Sequence, residues 1–283
     1  MGKIRIVTDS TSDIPREVRE RWGITMIPLK VHFGEEEYSD AVTIEPAQFY
    51  EKLQQASKLP TTSQPSPVDF VEVYERLGAE PGTEIISFHL SAALSGTYQS
   101  AVLAKSMLED KIDVTIIDSK SASYGFGMLV VTAARLAAEG KSKEEILEAV
   151  ETLRQRRKLY FLVDTLEYLQ KGGRIGKASA MLGTILNIKP ILSIDDEGEV
   201  HAVEKVRGHK KAVARIIELL KGNLGSMRVN ITIGYATDRS EAEAMEAQLR
   251  EHFDVAEVDY TLIGSVIGTH VGPGVIAVFM SPA

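Results

Sequence analysis

The sequence predicts an α/β protein of two domains: an N-terminal three-layer parallel sheet with helices on both faces, then a C-terminal two-layer mixed six-stranded sheet with helices. Three observations carry this expectation. Over the first half, short apolar runs alternate with amphipathic helical patterns, as in a parallel sheet buried on both faces. Past residue 159 six strand-like runs follow with only two helical patterns among them, which fits a mixed sheet covered on one face. A length of 283 residues also exceeds the usual size of one domain. The boundary is therefore placed near residue 159, giving domains 1–159 and 160–283.

Element by element, residues 4–8 open the chain as an apolar strand, and 15–22 follow as a helix. The run 25–33 reads as a second strand, and 46–56 and 67–77 as helices that each begin at a proline, where the missing N–H costs nothing. Ser66 stands at the N-cap of the second of these, with Asp69 three residues on. Strands at 84–90 and 114–118 alternate with helices at 98–108, 124–139 and 143–157. The second half offers strands at 160–164, 190–194, 199–206, 228–235, 255–261 and 275–280, with helices at 208–221 and 239–252. Gly268-Thr269-His270-Val271-Gly272-Pro273-Gly274 reads as a tight turn before the last strand.

Composition bounds the function. A content of 44% hydrophobic and 25% charged residues is that of a globular chain with a sizeable core. The net charge of −8 argues against nucleic acid or an anionic membrane as the main partner. With no cysteine there is no disulfide and no thiolate zinc site, and the six histidines lack metal-ligand spacing, so no metal is expected. No apolar signal core precedes Ile4 and no apolar run is long enough to span a bilayer; a cytoplasmic protein without stable membrane insertion is the expectation.

Ligands of parallel sheets collect at the carboxyl ends of the strands. Three hydroxyl-rich loops leave strands at that edge, at residues 9–13, 91–97 and 118–123. Thr61-Thr62-Ser63-Gln64-Pro65-Ser66-Pro67 and Leu94-Ser95-Gly96-Thr97 each place hydroxyls just before a helix, where free N–H groups and the helix dipole suit a carboxylate or phosphate. Ser95 reads as a helix cap, a ligand donor or a nucleophile, although Ala93 occupies the first glycine position of a nucleophile elbow. Thr62 has no capping duty, because Ser66 already fills that position. Lys171-Gly172-Gly173-Arg174-Ile175-Gly176-Lys177 fails as a Walker A loop, since Ala178 replaces the required hydroxyl. Its Arg174 reads either as a solvated charge or as an anion contact, and Arg207 and His270 carry the same two readings. Periodicity alone does not separate residues that line an apolar tunnel from residues that fill a core.

Five segments in the same order resemble the DegV family of bacterial fatty-acid-binding proteins, the binding subunits of fatty acid kinase. They are Thr8-Asp9-Ser10-Thr11-Ser12-Asp13, Thr62-Ser63-Gln64-Pro65-Ser66, Leu94-Ser95-Gly96-Thr97-Tyr98, Leu169-Gln170-Lys171-Gly172-Gly173-Arg174-Ile175 and Gly268-Thr269-His270-x-Gly272-Pro273-Gly274. The resemblance implies a fold related to the substrate-binding subunit of dihydroxyacetone kinase. It also implies a long-chain, palmitate-like fatty acid, with its carboxylate near Thr62 and Ser95 and its tail in an apolar tunnel to which the C-terminal domain contributes. It maps the arginine of the Gly-Gly-Arg motif to Arg174, the loop histidine to His270 and a further arginine of the headgroup region or kinase contact to Arg207. The bound lipid is then the only ligand, no cofactor is needed, and the chain presents the carboxylate to a separate ATP-dependent kinase without catalytic residues of its own. Two alternatives stand beside this: an acyl hydrolase using Ser95, and a dihydroxyacetone-kinase-like subunit binding a small carbonyl compound through His270.

Overall fold

The computed structural model describes residues 3–109, 111–183 and 188–283. In chain order, strand β1 (Ile4–Asp9) is followed by α1 (Arg16–Trp22), β2 (Thr25–Ile27), β3 (Lys30–Phe33), β4 (Glu36–Ser39), α2 (Pro46–Gln55) and β5 (Thr61–Ser63). Then come α3 (Pro67–Gly78), β6 (Glu84–His89), α4 (Thr97–Met107), β7 (Asp113–Asp118), α5 (Tyr124–Ala138) and α6 (Lys143–Arg156). Strands β1, β2, β6 and β7 form one parallel sheet in the order β2-β1-β6-β7.

Side-chain alternation explains why this sheet is buried twice over. Val7 and Ile85 point to one face, where they join Phe70 and Tyr74 of α3 and Ala101 and Ala104 of α4. Ile6 and Ile86, one residue along, point to the other face and meet Leu129 and Val130 of α5 and Ile146 of α6. Phe70 and Tyr74 stand four residues apart, so both project from one side of α3 and both are fully buried. Each such side chain contributes about 1.5–3 kcal/mol by burial. The α3 start is as the sequence indicates: Ser66 Oγ accepts the Asp69 N–H and the Asp69 carboxylate accepts the Ser66 N–H at 2.7 Å.

The expected single strand over 25–33 is two. Pro28 lacks an N–H and interrupts the ladder, so β2 stays in the parallel sheet while β3 leaves it. Strand β3 pairs with β4 and β5 in a separate three-stranded antiparallel sheet, with Val31 opposite Thr62. Thr62 therefore sits on a strand rather than in a loop.

The second half contributes β8 (Lys158–Leu162), α7 (Glu167–Lys171), β9 (Ile188–Ile194), β10 (Val200–Arg207), α8 (His209–Leu224), β11 (Val229–Tyr235), α9 (Arg239–Arg250), β12 (Val255–Leu262), α10 (Ser265–Val271) and β13 (Ile276–Pro282). The six strands make one mixed sheet in the order β10-β9-β8-β13-β11-β12, antiparallel except for the β11–β12 pair. Helices α8 and α9 cover one face, against Leu162, Val278 and Met280. The opposite face, with Phe161, Ala277 and Phe279, joins the apolar cluster of the first half, so one continuous core runs from Ile6 to Phe279.

The expected tight turn over 268–274 is also different. Residues 265–271 are helical, and the chain turns only at Gly272, whose φ of 80° suits glycine. Gly268 serves close packing instead: a Cβ there would lie 2.6 Å from Tyr50 Oη and 2.8 Å from Phe49 Cε1, both on α2.

Candidate functional site

Between the parallel and the mixed sheet, at the carboxyl ends of β6 and β7, lies a narrow apolar cavity. Its walls include Leu29 and Leu90 from the first half and Phe161, Ile194, Val266 and Phe279 from the second. Measured to the centre of a water-sized sphere its volume is about 90 Å³, that of a slot rather than a chamber. A wider cleft of about 590 Å³ lies beyond the shared walls Leu159 and Ile194, but its lining is mostly charged and polar. The narrow cavity is the one with an apolar body and a few convergent polar groups, the usual form of a ligand site. Those groups are Thr62, Ser95, Ser123, Arg174 and His270.

Four of them are connected. Strand β5 delivers Thr62, whose Oγ1 lies 2.9 Å from His270 Nε2 on the last turn of α10. His270 Nδ1 is buried without a hydrogen-bond partner among the described residues and rests on Gly172, where a Cβ would come within 2.3 Å of it. Two residues on, Arg174 donates from Nη1 to the Gly172 carbonyl at 2.7 Å and from Nε to the Leu94 carbonyl at 3.0 Å. Both bonds go to neutral carbonyls, so the positive charge stays available to an anion. Ser95 follows Leu94, and its Oγ lies 2.9 Å from Thr97 Oγ1 and accepts the Thr97 N–H, the first of α4. Ser95 thus faces the cavity while also serving the helix start.

Burial, with a smaller contribution from Arg174, pushes the His270 imidazole down to about 4. At neutral pH it is an uncharged hydrogen-bonding group, not a second cation. Among the described residues the hydrogen bonds of Ser95 Oγ go to Thr97 and not to an acid or imidazole. An acid–imidazole–hydroxyl series does exist: Asp9 Oδ2 lies 3.0 Å from His89 Nδ1, and His89 Nε2 lies 2.8 Å from Ser87 Oγ, which also accepts from Tyr74. All four residues are fully buried and none lines the cavity, so this network braces the end of β6 and cannot reach a substrate.

Of the five residues singled out from sequence, Thr62, Ser95, Arg174 and His270 line the cavity. Arg207 does not. It is exposed at the end of β10, opposite Ile188. Ser123 was not singled out, although it belongs to the hydroxyl-rich loop after β7. It stands at the N-cap position of α5 with φ 53° and ψ −151°, a glycine-like conformation for a serine, and its hydroxyl goes not to the helix but to buried Asp13.

The fold and the site together define an α/β protein of a parallel sheet, a mixed sheet and a small antiparallel sheet, with an apolar cavity built from both halves. A family model described as "Uncharacterised protein, DegV family" matches residues 3–283. A DegV domain-containing protein of Caldanaerobacter subterraneus is 42% identical over 281 residues, covering 99% of each chain. A Thermus thermophilus DegV family protein whose structure is described for its fatty acid binding superposes with a TM-score of 0.92 at 39% identity, covering 99% of this chain and 100% of that one. A stearic-acid-binding protein from Eubacterium ventriosum gives 0.90 at 30% identity, covering 100% and 98%. The chain belongs to the DegV family.

Proposed function

We propose that the chain binds one long-chain, palmitate-like fatty acid, its carboxylate received by Thr62 and Ser95 and its tail in the apolar cavity, and presents that carboxylate to a separate ATP-dependent kinase. The observation that carries this reading is the slot itself: apolar walls from both sheets and one contiguous polar cluster running Thr62–His270–Gly172–Arg174–Leu94–Ser95. Burying about 14 methylenes at ~0.8 kcal/mol each gives on the order of 11 kcal/mol before the costs of association. The tail therefore supplies the affinity, and the donors keep a buried carboxylate ionised and in place. Ionisation matters because a carboxylate oxygen must attack the γ-phosphoryl group of ATP, releasing ADP and leaving an acyl phosphate. The relatives that bind fatty acids support this reading, and the apolar lining favours it over a small carbonyl ligand. We further read the chain as two domains, 1–159 with the carboxylate-binding loops and 160–283 completing the acyl slot, acting in the cytoplasm without a cofactor. Arg174, Arg207 and His270 are assigned to the mouth, where phosphoryl charge arrives and the kinase docks.

Solvent extraction of freshly purified protein followed by mass spectrometry tests the first step. A near-stoichiometric fatty acid is expected. Protein that is consistently empty and gains no thermal stability from palmitate or oleate overturns the reading.

A further inference from the structure

Helix α10 walls the cavity with Val266, Ile267, His270 and Val271, and its place is fixed at its first residues by two buried carboxyl groups from far away in sequence. Asp13 Oδ1 accepts the Gly264 N–H at 3.0 Å, and Asp40 Oδ1 accepts the Ser265 N–H at 3.1 Å. Asp13 is 8% exposed and Asp40 1% exposed. Both approach so closely that a Cβ on Gly264 would lie 2.6 Å from Asp13 Oδ1 and 3.7 Å from Asp40 Oδ2. Asp13 ties the same point to another wall, because its Oδ2 accepts the Ser123 hydroxyl and its backbone carbonyl accepts the Thr261 hydroxyl. The Ser10 and Ser265 hydroxyls and the Val266 amide also lie close to the Asp40 carboxyl and partly offset the effect of its burial.

A short helix does not need two buried acids to cap it, and this pair is costly to keep. Burial raises both carboxyl groups, Asp40 to about 6 and Asp13 well above its ordinary range. The backbone is strained at the same place: among the described residues five non-glycines have positive φ, and Asp13, Ala41 beside Asp40, and Ser123 are three of them. Cost and strain concentrated at one point signal a geometry held for a purpose.

We propose that Asp13 and Asp40 are positioning residues that fix the rotation and height of α10, and so hold His270 against Thr62 in the arrangement that receives the ligand carboxylate. Resting on the fatty-acid reading, this adds to it that the donor set is preset from the opposite end of the helix. An apolar residue at either position frees the first turn of α10 from its acceptors, and the displacement is felt at its last turn, where Thr62 loses its imidazole partner. A carboxamide keeps an acceptor oxygen at the same place and should preserve the setting.

The test is a double-mutant cycle read in palmitate affinity, with thermal unfolding and the ¹⁵N shifts of His270 recorded alongside. Asp40→Ala is expected to raise the palmitate Kd about tenfold in the wild-type background but less than about twofold in Thr62→Val, because the two act in series. Asp40→Asn should stay within about twofold of wild type. Equal, additive losses in both backgrounds, or an Asn variant as weak as the Ala variant, overturn the proposal. Should Asp40→Ala not fold, Asp40→Ser is too short to reach the Ser265 amide and carries the same expectation. Wild-type protein that takes up no palmitate refutes the fatty-acid reading instead. The present proposal then stands or falls on the ligand-free protein, where Asp40→Ala or Asp40→Ser must move the His270 shifts.

Discussion

At the scale of single residues, the site divides hydrogen bonding from charge. On the fatty-acid reading Thr62 and Ser95 offer neutral donors to the carboxylate, and losing one hydrogen bond to a charged group costs roughly 1.5–3 kcal/mol. Thr62→Val or Ser95→Ala should therefore weaken palmitate binding about ten- to a hundredfold with the fold intact, as calorimetric titration would show; unchanged affinity in both would place the headgroup elsewhere. Arg174, bonded among the described residues to two carbonyls, and exposed Arg207 act later on this reading, when a phosphoryl group adds negative charge. Arg174→Ala and Arg207→Ala are expected to retain co-purifying lipid yet lose most acyl-phosphate formation with kinase and ATP, whereas His270→Ala, which removes the partner of Thr62, should also raise the palmitate Kd about tenfold. Normal turnover in all three would leave them as structural or solvated groups. The hydroxyls were legible in sequence because each precedes a helix start. Asp13 and Asp40 were not, because nothing local to either says that it ends beneath a helix more than two hundred residues away.

At the scale of elements, strands and helices followed from hydrophobic period and capping chemistry. The errors have identifiable causes. Pro28 splits one apolar run between two sheets, and the three glycines around His270 resemble a turn in sequence although Gly268 lets α10 approach α2. Glycine used for proximity and glycine used for conformation look alike until the neighbour is known. Gly268→Ala tests the distinction: both Tyr50 and Phe49 are buried and cannot give way, so overpacking should cost about 1–3 kcal/mol in urea unfolding and weaken palmitate binding through α10. A silent substitution would return the residue to the role of a simple turn former.

At the scale of the molecule, the buried acids link stability to pH. Asp40 is pushed up to about 6 by burial, against about 3.9 in an unfolded chain, so the folded state holds the extra proton between those values. Stability from this group is present at low pH and falls as pH rises through about 4 to about 6, by on the order of 2–3 kcal/mol in all. His270, pushed down to about 4, acts with the opposite sign, its contribution being lost as pH falls from about 6.5. Asp9, Arg19 and Tyr50 share the acids' surroundings and are common to wild type and variant. Comparing Asp40→Asn with wild type isolates the first effect: the variant should gain relative stability as pH rises from about 4 to about 6 and hold it above, and a constant difference across that window would contradict the assignment. The cavity has a consequence of another kind. Because it lies within the one apolar core that both sheets share, its occupant completes the interior, and binding at a hundred times Kd adds about 2.7 kcal/mol to the folded state. On the fatty-acid reading, a cell short of fatty acid would then hold more of this protein in openable form, exposed to proteases, so that the amount of the protein would track the supply of its ligand.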